Sequence, residues 1–118
     1  MEESEVQSII ESFEALPQPT TYRRISFDDA QVNAGFIADT YFLTVSGVKS
    51  TVNMDVFLQP LIYIEKPDYW EIEVIGHLRG IGLPATAPYT KTIDISANIG
   101  HKGIKVIGSN KEQQFDIP

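Results

Sequence analysis

Cysteine is missing from all 118 residues, which excludes disulfides, thiolate nucleophiles and any cysteine-bearing metal centre. Long apolar runs are missing too. The longest stretch without a charged side chain is Gly80 to Thr90, 11 residues broken by Gly82, Pro84 and Pro88, whereas a membrane-spanning helix needs about 20 apolar residues. The first residues, Met1-Glu2-Glu3-Ser4-Glu5, are acidic where a secretion signal opens basic and continues apolar. A non-secreted, cytoplasmic chain without membrane insertion is therefore expected. Positive charge is scarce: 9 Lys and Arg stand against 16 Asp and Glu, for a net charge of −7 that repels nucleic acid over most of the surface. Catalytic signatures are absent as well. There is no Gly-x-Ser-x-Gly elbow and no phosphate cradle beyond the bare Gly80-Ile81-Gly82. The two histidines, His77 and His101, lie in separate segments without short ligand spacing. No catalytic residue, cofactor or metal site is expected.

What the chain does have is a period of two. From Thr40 to Val106, Tyr41, Leu43 and Val45 alternate with Phe42, Thr44 and Ser46; Val52, Met54, Val56 and Leu58 with Asn53, Asp55 and Phe57; Trp70, Ile72 and Val74 with Glu71 and Glu73; and Ile93, Ile95, Ala97 and Ile99 with Asp94, Ser96 and Asn98. Such alternation marks half-buried strands, one parity facing a core. Three hairpin registers fit the turn residues. A Gly47–Ser50 loop pairs Val45 with Val52, Leu43 with Met54 and Tyr41 with Val56. A Lys66–Asp68 loop pairs Ile64 with Trp70 and Ile62 with Ile72. A Gly100–Gly103 loop pairs Ile99 with Ile104 and Ala97 with Val106. The expected core is Tyr41, Leu43, Val45, Val52, Met54, Val56, Ile62, Ile64, Trp70, Ile72, Val74, Ile93, Ile95, Ile99 and Val106.

Elsewhere, Val6, Ile9, Ile10, Phe13 and Leu16 form one stripe at helical spacing, predicting an amphipathic helix over residues 4–16 that Pro17 and Pro19 stop. Thr20 to Asp28 reads as a strand carrying Tyr22, Ile25 and Phe27, although Arg23-Arg24 blurs its alternation. Ala30 to Ala38 is ambiguous, with Gly35 marking a bend. Pro60 suits an edge or a crossover. Gly76 to Pro88 reads as a long connection, one that can cross between sheets. Phe115 and Ile117 suit a short final strand. One domain, residues 1–118, is expected: a mainly β, antiparallel two-sheet β-sandwich, Ig-like or jelly-roll-like, with one N-terminal helix and strands and loops over residues 20–118. The alternative is a small closed β-barrel.

Three local patterns bear on function. Ile99-Gly100-His101-Lys102-Gly103-Ile104 resembles the Gly-x-x-Gly loop of KH domains, which implies a clamp on single-stranded nucleic acid. A KH loop joins two helices, whereas here a strand pattern precedes it and Gly108 halts any helix begun at Ile104. It is read as a hairpin loop without nucleic-acid binding. The bases of the region, His101, Lys102 and Lys105, make a candidate anion-binding loop. Asp55, Glu71 and Glu73 fall on the outer parity and offer, at most, a carboxylate pair of the glycosidase kind. The outer parity also carries Phe42, Phe57, Tyr63, Tyr69, Ile75 and Ile107, which make a candidate interaction surface. Its covering is the N-terminal helix, a second subunit or another partner. The expected function is a non-catalytic protein-interaction or assembly module, self-association included. The alternatives are a carrier of a small apolar ligand in a barrel cavity and a small carboxylate-dependent hydrolase.

Overall fold

The computed structural model describes residues 20–118. The helix expected over residues 4–16 lies outside them. Eight strands follow in chain order: β1 Thr20–Arg24, β2 Asp29–Ala34, β3 Tyr41–Lys49, β4 Asp55–Pro60, β5 Tyr69–Arg79, β6 Ala87–Asp94, β7 Gly103–Ile107 and β8 Glu112–Asp116. The chain is mainly β, with no helix among the described residues. The strands form two sheets. One holds β1, β4, β5, β7 and β8, the other β2, β3 and β6 in the order β2-β3-β6. No barrel closes.

The long strand β5 organises the larger sheet. Antiparallel β4 lies along one edge, matching Asp55 with His77 and Pro60 with Ile72. The other edge is divided. Parallel β7 takes the first half, with Tyr69 opposite Gly103 and Glu73 opposite Ile107, and antiparallel β1 takes the second, with Arg24 opposite Ile75 and Thr20 opposite Arg79. At the seam the Ile25 N–H donates to the Val74 carbonyl at 2.9 Å, and the Ile25 carbonyl accepts the Ser109 N–H at 3.0 Å. The ladder therefore continues across the break. One pair being parallel, the larger sheet is mixed and not wholly antiparallel as the sequence suggested. Parallel neighbours require a crossover, and the chain makes it by visiting β6 in the other sheet.

Both sheets contribute to one core. Leu43, Val45, Tyr89 and Ile95 come from β3, β6 and the residue after it; Val56, Leu58, Ile72, Val74, Ile104 and Val106 come from the larger sheet; and Phe27, fully buried, sits in the link between β1 and β2. Asn110 fixes that link, its side-chain oxygen accepting the Phe27 N–H at 3.2 Å and its amide donating to the Phe27 carbonyl at 2.9 Å. The expected inner parity is observed at Leu43, Val45, Met54, Val56, Ile72, Val74, Ile95 and Val106, all buried. Tyr41, Trp70, Ile93 and Ile99 are partly buried against the core. Val52, Ile62 and Ile64 are exposed instead.

All three expected hairpins are corrected. Strand β3 runs through Gly47 to Lys49 and pairs with β2 and β6, so the chain passes from Ser50 into the other sheet without a hairpin. Gly47 is not a turn residue. It lies under the Tyr89 ring, where a Cβ would stand 2.8 Å from the hydroxyl and 3.0 Å from Cε2. The strand preceding Trp70 is Asp55–Pro60, two residues out of the expected register, and residues 61–68 form the loop. A two-residue slip preserves parity, which is why the faces agree while the pairing does not. Pro60 ends β4, an edge position. Ile99 does not pair with Ile104: β6 stops at Asp94, where Ser96 donates its N–H to the carboxylate at 2.8 Å and turns the chain toward the larger sheet. The Ser96 hydroxyl bond, and then this N–H bond, hold the Asp94 carboxyl below its ordinary range. Three further readings are corrected in their bounds. The strand expected over Thr20 to Asp28 ends at Arg24, leaving Ile25 and Phe27 in a link. The connection expected over Gly76 to Pro88 shrinks to residues 80–86, since β5 runs to Arg79 and β6 starts at Ala87. The final strand holds Phe115 but not Ile117. Gly35 follows β2 directly.

Because Tyr89 is buried and its hydroxyl donates to the Ser26 carbonyl at 2.7 Å, its ring cannot swing away cheaply. Gly47→Ala is expected to destabilise the fold by about 1–3 kcal/mol through overpacking, measured by urea unfolding. In a solvent-facing hairpin loop the same change would leave stability nearly unaltered.

Candidate functional site

On the outward face of the larger sheet, alternation brings side chains from three strands together. Odd positions of β5 present Glu73, Ile75 and His77; the register sets Tyr22 and Arg24 of β1 on one side, and Phe57 and Gln59 of β4 on the other. Tyr22 and His77 are directly opposite each other and stack, ring centres 4.1 Å apart and planes within 5°. Phe57 approaches the same imidazole at 6.0 Å, tilted by 40°. His77 is thereby buried at 5% exposure, while Tyr22 keeps 65% and Phe57 45%. Beside this stack lies a depression of about 450 Å³ lined by Tyr22, Phe57, Gln59, Glu73 and Ile75. Arg24 reaches across from β1 to Glu73 at 2.5 Å, placing a salt bridge beside the aromatic wall.

Among the described residues, the His77 Nε2 has no hydrogen-bond partner despite its burial. An orphaned polar atom of this kind costs stability.

The six aromatic and aliphatic residues of the expected surface do not form one patch. Phe57 and Ile75 do meet, as direct cross-strand partners. Phe42 lies on the other sheet, between Asn33 and Asp94. Tyr63 belongs to the 61–68 loop and packs edge-on against Trp70 at 5.3 Å, whose indole N–H donates to the Leu61 carbonyl at 2.8 Å. Tyr69 shares the outer parity of β5 but is tied to Asp116, its hydroxyl donating at 2.5 Å. That hydrogen bond, more than the partial desolvation or the nearby charges, raises the phenol above its ordinary value of 10.0. Ile107 is buried at 4% and offers no surface. Tyr22 and His77 complete the site, and sequence reasoning did not connect them to it. Tyr22 was legible as a strand residue, but its partner is far along the chain.

The backbone of the basic loop is committed to holding its turn. His101 and Lys102 are exposed, yet the backbone N–H groups of His101, Lys102 and Gly103 all donate to the carbonyls of Pro67 and Asp68, at 2.7–3.2 Å. Lys105 lies on β7, 3.9 Å from Glu112. The two glycines serve close approach: a Cβ on Gly100 would strike the Pro67 and Asp68 carbonyls, and one on Gly103 the Phe115 carbonyl. Of the three carboxylates, Glu71 is opposite Lys105 on β7 and Glu73 is taken by Arg24. Asp55 faces His77 across the β4–β5 pair, while Glu73 is opposite Gln59, four positions along β4 and roughly 13 Å away at strand rise. No group of three His, Asp or Glu residues is placed to hold a metal ion among the described residues.

No known protein family, curated protein or solved structure matches the chain.

Two outcomes follow. His77→Phe keeps the stack and removes the orphaned nitrogen, so it is expected to be neutral or to stabilise by about 1 kcal/mol, while His77→Ala loses about 2–4 kcal/mol. Equal losses for both in thermal unfolding would mean that the nitrogen has a partner. Tyr69, raised in the folded state, contributes stability that is full below pH 10 and lost as pH rises through its folded value. Ultraviolet titration of Asp116→Asn is expected to show that phenol ionising at lower pH than in the wild type.

Proposed function

We propose that the protein is a non-catalytic interaction or assembly module, a β-sandwich that binds a protein surface through the outward face of its larger sheet. The observation that carries this reading is the gathering of Tyr22, Phe57 and Ile75 round the buried His77, beside a depression of about 450 Å³. Aromatic anchors next to a pocket able to take a partner's side chain, rimmed by polar groups, are the usual makings of an energetic centre in an interface. Here Gln59 and the Arg24–Glu73 pair supply the rim. A rigid sheet spends little conformational entropy on presenting them. The partner most directly addressed is a second copy of the chain, two such faces meeting about a two-fold axis. The alternative, a carrier of apolar ligands, calls for a closed barrel, whereas the described strands divide into two sheets. No helix among the described residues is long and apolar enough to cross a membrane.

Sedimentation velocity over a wide concentration range is expected to show reversible self-association of the wild type, weakened at least tenfold by Phe57→Ser with Tyr22→Ser. A wild type that stays monomeric at millimolar concentration, or variants that associate as strongly as it does, would rule out self-assembly through this face.

A further inference from the structure

A second cavity opens where the end of β1 and the link after it meet the end of β3. It measures about 500 Å³ and is lined by Arg23, Arg24, Ile25, Ser26, Val48, Lys49, Ser50, Thr86 and Ser109. Three of these side chains are cationic, four carry hydroxyls, and none is a carboxylate. In a chain of net charge −7, this is a local reversal of sign contributed by segments far apart in sequence. The Arg23-Arg24 pair, which blurs the strand pattern, is resolved by register. Arg24 stands opposite Ile75 on the outward face and is taken by Glu73. Arg23 stands opposite Gly76, on the parity that faces the other sheet. Among the described residues no carboxylate is paired with it. Lys49 comes from the other sheet, its ammonium donating to the Met54 carbonyl at 2.8 Å. That bond uses one of three N–H donors, and among the described residues no carboxylate is paired with the ammonium.

We infer that this cleft binds a small phosphomonoester. An oxyanion needs positive charge and several short-range donors together, and Arg23, Lys49 and the hydroxyls of Ser26, Ser50, Thr86 and Ser109 supply both. Ile25 and Val48 add an apolar wall for the organic group the phosphate carries. The volume lies within the range usual for small-molecule sites. The cleft differs from the Gly100–Gly103 loop in that cationic and hydroxyl side chains from both sheets converge on one cavity.

The test is an amide-resolved NMR titration of the full chain at constant ionic strength, with inorganic phosphate, phenyl phosphate and, as control, chloride. Saturable shifts are expected at residues 23–26, 48–50, 86 and 109, with phenyl phosphate binding at least several-fold more tightly than inorganic phosphate. Arg23→Gln is expected to weaken both by tenfold or more. Since Lys49 also holds the Met54 carbonyl, Arg23→Gln is the decisive variant and Lys49→Gln a supporting one, to be read only if its spectrum stays native. Shifts that grow linearly, that chloride reproduces, that centre on residues 101–105, or that persist unchanged in Arg23→Gln would overturn the assignment. None of these results depends on whether the aromatic face self-associates.

Discussion

Everything in this molecule leans on one strand that must satisfy three neighbours. β5 gives one edge to β4 and shares the other between β7 and β1. Backbone donors and acceptors buried in a sheet have to be paired, so the seam between β7 and β1 is the place where the arrangement is most constrained. Ile25 closes it with both of its main-chain groups. The same residue begins the link that carries Phe27 into the core, and Asn110, in the β7–β8 turn, clasps that link from the other side. Sheet continuity, core filling and the placement of β2 are thus coupled through a few adjacent residues.

That coupling also builds the two candidate sites. β1 delivers Tyr22 to the aromatic depression and pairs Arg24 with Glu73 on its rim, while Arg23, Arg24 and the link residues Ile25 and Ser26 line the cationic cleft. One short strand and the link that follows it thus serve both.

The limits of the sequence as a guide are specific. Which face a residue takes is a local property of alternation, and Leu43, Val45, Val56, Ile72 and Val74 are therefore legible as core. Which strand lies next to which is not local. Gly47 invites a turn but instead makes room for Tyr89, a residue from a different strand. Gly100 and Gly103 invite a hairpin but instead let the loop press against Pro67, Asp68 and Phe115. In both cases glycine answers to a neighbour that adjacent sequence does not reveal. The aromatic site was half legible for the same reason: Phe57 and Ile75 follow from parity, whereas the Tyr22–His77 stack depends on pairing the first described strand with the far end of β5. The cationic cleft was less legible still, since its basic residues arrive from two sheets.

The pairing of β1 with β5 has a consequence for how the chain is made. During synthesis Thr20–Arg24 leaves the ribosome long before Ile75–Arg79, the only strand segment it pairs with among the described residues. Its β5 partners are not made until three intervening strands have been translated, and β7, which takes the other half of the shared edge, is made later still. Contacts so distant in sequence close slowly, and an unpaired strand held open meanwhile is a template for neighbouring nascent chains. The arginines at the end of β1, Arg23 and Arg24, supply charge at that vulnerable point, the kind of feature that disfavours pairing between exposed strand edges.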